Sequence, residues 1–145
     1  MKHSIKFYRV HDEYGFMSNF APYPFEITGK TWPTSEHYFQ AMKFLDPSLQ
    51  DQIRSIESPM EAALEGRKRT HPLRPDWEEV KDDIMYQAVK AKFEQNPIIL
   101  GKLLATDSAQ LIEHTRNDSY WADNGDGTGK NMLGLILMRV REKLK

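Results

Sequence analysis

Three times along the chain a residue able to cap a helix stands directly before proline: Asp46-Pro47, Ser58-Pro59 and Asn96-Pro97. Proline suits the first helical position, because its φ is preset and the N–H it lacks would have no partner there. The residue before it is pushed out of helical conformation, so each junction starts one helix and ends anything upstream. The chain is thereby cut into short helices. An earlier helix opens at Thr34 or Ser35, and the one begun at Pro59 is expected to stop near Gly66. Asp76 with Glu79 three residues on reads as a capping box, after which Trp77, Val80, Ile84, Ala88 and Ala91 recur at helical spacing to about Glu94. Ile99, Leu100, Leu103 and Leu104 mark the next helix, and Leu133, Leu137, Val140 and Leu144 line a closing one. The first 33 residues are instead rich in aromatics, Pro and Gly, and FEITGKTW (25–32) reads as a hairpin turning at Gly29. The expectation is a compact, mainly α (α+β) fold, one domain over residues 1–145, with a small N-terminal β element.

A chain of 145 residues can bury a core without staples. It contains no Cys, which removes disulfides, thiolate nucleophiles and Cys-based zinc sites, and fits a reducing compartment. Its 20 Lys+Arg balance 21 Asp+Glu to a net charge of −1, so no broad basic field holds duplex DNA or an anionic membrane. A nucleic-acid substrate has to be gripped locally. The start MKHSIKFYRVHDEYG lacks an apolar run, and no stretch reaches the length of a membrane span; the chain reads as soluble and cytosolic.

TSEHYFQAMKFL (34–45), wound as a helix, sets Glu36, Gln40 and Lys43 in one stripe on an otherwise apolar cylinder. Taken alone, such a stripe is most simply a solvated edge; its sharper meaning is a buried polar row with chemistry to perform. On a continuous helix Lys43 lies two turns beyond Glu36, about 10 Å along the axis. DNGDGTGKN (123–131) places three Gly at alternate positions ahead of the closing helix, which makes either a flexible turn or a cradle for an anion. It is neither a P-loop nor an EF-hand, since Asn131 follows Lys130 and Leu133 would stand at the twelfth position of a calcium loop. The five His have no metal-ligand spacing, so no metal is expected, and the absence of a GxSxG elbow disfavours a serine hydrolase; no cofactor is expected. Arg67, Lys68, Arg69 and Arg74 form a local basic cluster, either a solvated loop or a phosphate clamp. Tyr120-Trp121 supplies core aromatics or a stacking platform.

The ordered segments FYRVHDEYGFMSNF, TWPTSEHYFQAMKF, SPMEAALEGRKR, PLRPDWEEVK, AKFEQNP and NDSYWADNGDGTGKN, followed by LGLILMRVR, resemble the NADAR family over residues 5–144. Where the family typically reads YWG, this chain has Tyr120-Trp121-Ala122. The resemblance implies a mainly helical cytosolic N-glycoside hydrolase. Its substrate would join a 5′-phosphorylated ribose to an exocyclic amine, as in phosphoribosylated pyrimidine intermediates of riboflavin synthesis or ADP-ribosylated guanine in nucleotides or DNA.

On that footing Glu36 is the carboxylate at the anomeric carbon, Lys43 a donor to the ribose or leaving group or an imine-forming amine, and Asp118 a further candidate at the reacting sugar. Gln40 and Asn131 would contact ribose hydroxyls or water, and Trp121 would pack on sugar or base. Ser18, Asn19, Gly66 and Arg67 would complete the pocket around phosphate, with Gly127 in the glycine loop. Two competing readings are a non-catalytic module that binds ADP-ribose or a nucleotide, and a protein-interaction domain. Neither requires a carboxylate inside an apolar helix.

Overall fold

A computed structural model describes residues 3–145 and contains six α-helices and four short strands among them. They are α1 (Ser35–Ala41), α2 (Pro47–Arg54), α3 (Pro59–Arg67), α4 (Trp77–Glu94), α5 (Pro97–Leu104) and α6 (Met132–Lys143), with β1 (Ser4–Phe7), β2 (Phe25–Ile27), β3 (Lys30–Trp32) and β4 (Gln110–Glu113). The fold is α+β and mainly helical. Two compact units are distinguished, Pro22–Gln95 and a second made of the segment up to Ala21 together with Asn96–Lys145.

In the Pro22–Gln95 unit the helix caps at Thr34, Asp46 and Ser58 and the hairpin turn act as expected. Thr34 accepts the His37 N–H, Asp46 accepts that of Ser48 and Ser58 that of Glu61, so α1, α2 and α3 each open on a capping side chain. β2 and β3 pair antiparallel through a two-residue turn in which Thr28 and Gly29 both have positive φ, 50° and 82°, as a primed hairpin turn requires. The capping box at Asp76 does not form. Its carboxylate turns away to take two hydrogen bonds from Arg74, at 2.7 and 3.1 Å, because a charge-assisted fork outcompetes an exposed backbone N–H. Helix α1 lies at the centre of this unit, packed by α2, α3, α4 and β3. His37 is fully buried within it; the Ile56 carbonyl can only accept, so Nε2 donates there at 2.7 Å and Nδ1 accepts from the Thr34 hydroxyl at 2.8 Å. Burial lowers the pKa of this imidazole, which is a structural group and not a ligand.

In the other unit β1 and β4 pair in parallel, Ser4 opposite Gln110 through Phe7 opposite Glu113. This ladder joins four-residue segments 106 positions apart and was not expected from the sequence pattern. Helix α6 packs on β4 and buries Leu133, Leu137 and Val140 as its periodicity predicts, while Leu144 falls just past its end.

Asn131, at φ 54°, caps α6 from the left-handed region and acts as a one-residue strand on the free edge of β4. Its Oδ1 accepts the Glu113 N–H at 3.0 Å and its Nδ2 donates to the Leu111 carbonyl at 2.9 Å. Both ends of the amide are therefore committed to the fold. Asn131→Ala is expected to lower the unfolding free energy by about 2 kcal/mol or more, since two backbone groups lose their partners. Urea denaturation measures this; an unchanged midpoint would contradict the bridging role.

Candidate active site

Every residue of α1 is buried, which overturns the solvated-edge reading of its polar stripe. Glu36 is 8% exposed, Gln40 3% and Lys43 8%. A carboxylate, an amide and an amine are held out of water together, which is unfavourable unless each is compensated. Part of the compensation is local, since Gln40 Nε2 donates to Glu36 Oε2 at 2.7 Å across one helical turn. The Gln40 Oε1 has no hydrogen-bond partner among the described residues.

Gln40 is sandwiched against α3 at Gly66. A Cβ built on Gly66 would collide with Gln40 Oε1 and stand 2.8 and 2.9 Å from its Cβ and Cδ. Only a residue without a side chain lets the two helices approach here.

Lys43 is not on α1 as expected. The helix ends at Ala41 with Met42 as its cap, and Lys43 sits in the turn that follows. The cause lies far along the chain: the Arg74 N–H donates to the Lys43 carbonyl at 2.8 Å and the Arg74 guanidinium to the Met42 carbonyl at 3.3 Å. These bonds hold the turn open, so the 10 Å axial offset from Glu36 does not apply. The Lys43 ammonium lies 5.7 Å from the Phe39 ring centre and 5.9 Å from that of Trp77, two buried rings packed edge-on at 5.1 Å. Desolvation chiefly, then the charge of Arg69, lower its pKa to about 8, with Glu36 opposing the fall and Arg67 adding to it. Lys43, Glu36, Arg67 and Arg69 thus share one electrostatic neighbourhood.

The basic cluster divides by what each member touches. Arg74 is the brace just described, Lys68 pairs with Glu65 at 3.1 Å, and Arg69 donates to the Gly66 and Lys68 carbonyls at 3.2 and 3.4 Å. Arg67, on the last turn of α3, is exposed, and its side chain makes no hydrogen bond or ion pair among the described residues. Its guanidinium is available to an anion. The sequence pattern had not singled out Phe39 or Trp77 for this site, and it offered Arg74 as part of a phosphate clamp, whereas its guanidinium braces the Met42 carbonyl and pairs with Asp76.

The remaining candidates belong to the other unit. Ser18 is buried and its hydroxyl accepts the Phe20 N–H at 3.1 Å, with Asn19 half-buried beside it. One oxygen of Asp118 accepts the N–H groups of Tyr120 and Trp121 at 2.9 and 2.8 Å, so this carboxylate orders the loop that carries the half-buried Trp121. Ala122, where the family typically has Gly, is fully buried and has no positive φ, so its methyl introduces no backbone strain.

The glycine loop is no anion cradle. The N–H groups of Asn124, Gly125, Gly127, Thr128, Gly129, Lys130 and Asn131 all donate to oxygens of residues 118–126, and those of Met132 and Leu133 to the carbonyls of Tyr120 and Trp121. Gly127 therefore offers no donor to a phosphate. Asp123 organises the loop: burial works to raise its pKa, but hydrogen bonds from His114 and the Gly125 and Thr115 N–H groups outweigh this and hold it below the usual carboxylate range. The loop borders a depression of about 520 Å³ with Lys6, Gln110 and Ile112 on its other side.

The pattern described as NADAR domain matches residues 6–145, and the chain belongs to this family. It is 56% identical over 140 residues to the N-glycosidase YbiA of Escherichia coli (strain K12), covering 97% of this chain and 88% of that protein. The NMR structure of E. coli YbiA superposes with a TM-score of 0.91 at 54% identity, covering 99% of this chain and 86% of that one. A riboflavin biosynthesis protein of Vibrio vulnificus, VVA0006, is 41% identical over 145 residues, which is all of this chain and 40% of that protein.

The lowered Lys43 pKa has a definite sign in stability. Below pH 8 the amine is protonated in folded and unfolded chains alike, and folding carries the full desolvation penalty. Between about 8 and 10.5 the unfolded chain holds the extra proton, so stability rises with pH until the penalty is gone. Lys43→Met should therefore be more stable than wild type at pH 7, by a margin that shrinks toward pH 10.5. Paired denaturation curves across this range test it; a margin independent of pH would contradict the burial of a charged amine.

Proposed function

We propose that this enzyme, an N-glycosidase acting on a ribose-containing substrate, cleaves the C1′–N bond between a 5′-phosphorylated ribose and an exocyclic amine. Two substrates of this form are the phosphoribosylamino-pyrimidines of riboflavin synthesis and ADP-ribosylated guanine, free or in DNA. The names borne by relatives support the first, since one is a riboflavin biosynthesis protein and another an N-glycosidase. The observation that carries the mechanism is the buried Glu36 carboxylate, held by Gln40 beside an amine whose pKa is about 8.

Glu36 stabilises the oxocarbenium-like centre at C1′ or takes a proton from the attacking water. Lys43, still mostly protonated near neutrality yet easily deprotonated, gives its proton to the departing amine. Both roles gain from the low-water environment, where fixed charges act with little screening. Arg67, with an uncommitted guanidinium, pairs with the 5′-phosphoryl group, which explains how a chain of net charge −1 holds an anionic substrate. In its own unit Asp118 acts by shaping the loop that carries Trp121.

Glu36→Gln is expected to lower turnover of either substrate by roughly 10²- to 10⁴-fold while leaving ADP-ribose or ribose-phosphate binding within a few-fold. Full turnover by the folded variant would remove Glu36 from the mechanism. Incubation with both substrates side by side, followed by chromatography, assigns the preferred one, and a module that only binds would return each unchanged. Borohydride added during turnover should leave Lys43 unmodified; a reduced sugar adduct there would replace proton donation by a covalent imine.

A further inference from the structure

We infer that Gln40 and Gly66 act together as positioning residues that hold Glu36 as a correctly oriented hydrogen-bond acceptor, and that neither contacts the substrate's phosphate or ribose. The inference rests on the assignment of Glu36 to the reaction and goes beyond it by naming what keeps that carboxylate in place. It follows from three observations. The Gln40 side chain is 3% exposed, so it presents almost no surface to a ligand. Its Nε2 already donates to Glu36 Oε2 at 2.7 Å. Its Oε1 lies against the Cα of Gly66, where any Cβ would strike it.

The amide has two possible orientations, related by exchange of its oxygen and nitrogen. Turned the other way it would set an acceptor against the Glu36 carboxylate and leave an N–H₂ facing a carbon. The observed orientation gives the carboxylate a donor and leaves Oε1 a buried acceptor without a partner among the described residues, a small loss against the repulsion of two facing acceptors. Gly66 makes this arrangement possible in space. The glycine is needed because the amide occupies the volume of a side chain at that position, and no anion enters the explanation.

A double-mutant cycle on the full chain, assayed with whichever of the two N-glycosides the wild type hydrolyses, tests this. Gln40→Ala should lower kcat about 10- to 100-fold with KM within about twofold, the range expected when a hydrogen bond to a charged group is lost. The acid limb of the kcat–pH profile should move to higher pH, since Glu36 loses a donor to its charged form. Gly66→Ala should reproduce both effects by displacing the amide, and the double variant should be no worse than Gln40→Ala alone. A raised KM with intact kcat in Gly66→Ala, or effects that multiply in the double variant, would overturn the inference in favour of direct substrate contact. Gln40→Met, which retains bulk against α3 but has no donor, serves should the alanine variants not fold: lost kcat with a shifted acid limb supports the inference, and an unchanged profile refutes it. If Glu36→Gln is inactive while Gln40→Met behaves as wild type, only the positioning role fails. If Glu36→Gln stays active, the assignment of Glu36 itself is what has failed.

Discussion

The hydrogen bond from Gln40 to Glu36 is the interaction on which the candidate site of the Pro22–Gln95 unit depends. An ionised carboxylate withdrawn from water is tolerated only with donors and opposite charge close by. The surrounding packing supplies both. Close approach of α1 to α3 at Gly66 fixes the amide, and a turn held open by Arg74 brings the Lys43 amine into the same field as the carboxylate. Scarcity of water lowers the pKa of the Lys43 amine from an ordinary 10.5 to about 8, nearer neutrality.

The second unit solves a different problem, that of closing a glycine-rich loop onto a helix. The N–H groups of residues 124, 125 and 127–131 are directed at oxygens of residues 118–126, Asp123 gathers several of them, and Asn131 stitches the start of α6 to the open edge of β4. The glycines here serve conformation. Phosphate recognition is accordingly ascribed to the guanidinium of Arg67, which the fold leaves uncommitted.

What was legible in the sequence were the features decided within a few residues. Asp46-Pro47, Ser58-Pro59 and Asn96-Pro97 began helices as expected, and the hairpin formed at Thr28-Gly29, because caps, proline and turn geometry act locally. The polar row at Glu36, Gln40 and Lys43 was legible as a conflict between residue type and surroundings, but its burial was not, since that depends on α2, α3 and α4 covering α1. Illegible features depended on distant partners. The end of α1 was set by Arg74 and the Asp76 capping box was lost to the same residue, while β1 and β4 are each too short to declare a pairing. For the same reason Gly66 looked like part of a phosphate pocket until the side chain that fills its missing volume came into view.

The central claim, that Glu36 and Lys43 share one water-poor electrostatic neighbourhood, is tested most directly by titrating the Lys43 amine with NMR in the wild type and in Glu36→Gln. The account predicts a wild-type midpoint near pH 8 and a still lower one in the variant, because the carboxylate that favours the protonated amine is gone. A midpoint near the ordinary 10.5, or one that does not move when the carboxylate is neutralised, would contradict it.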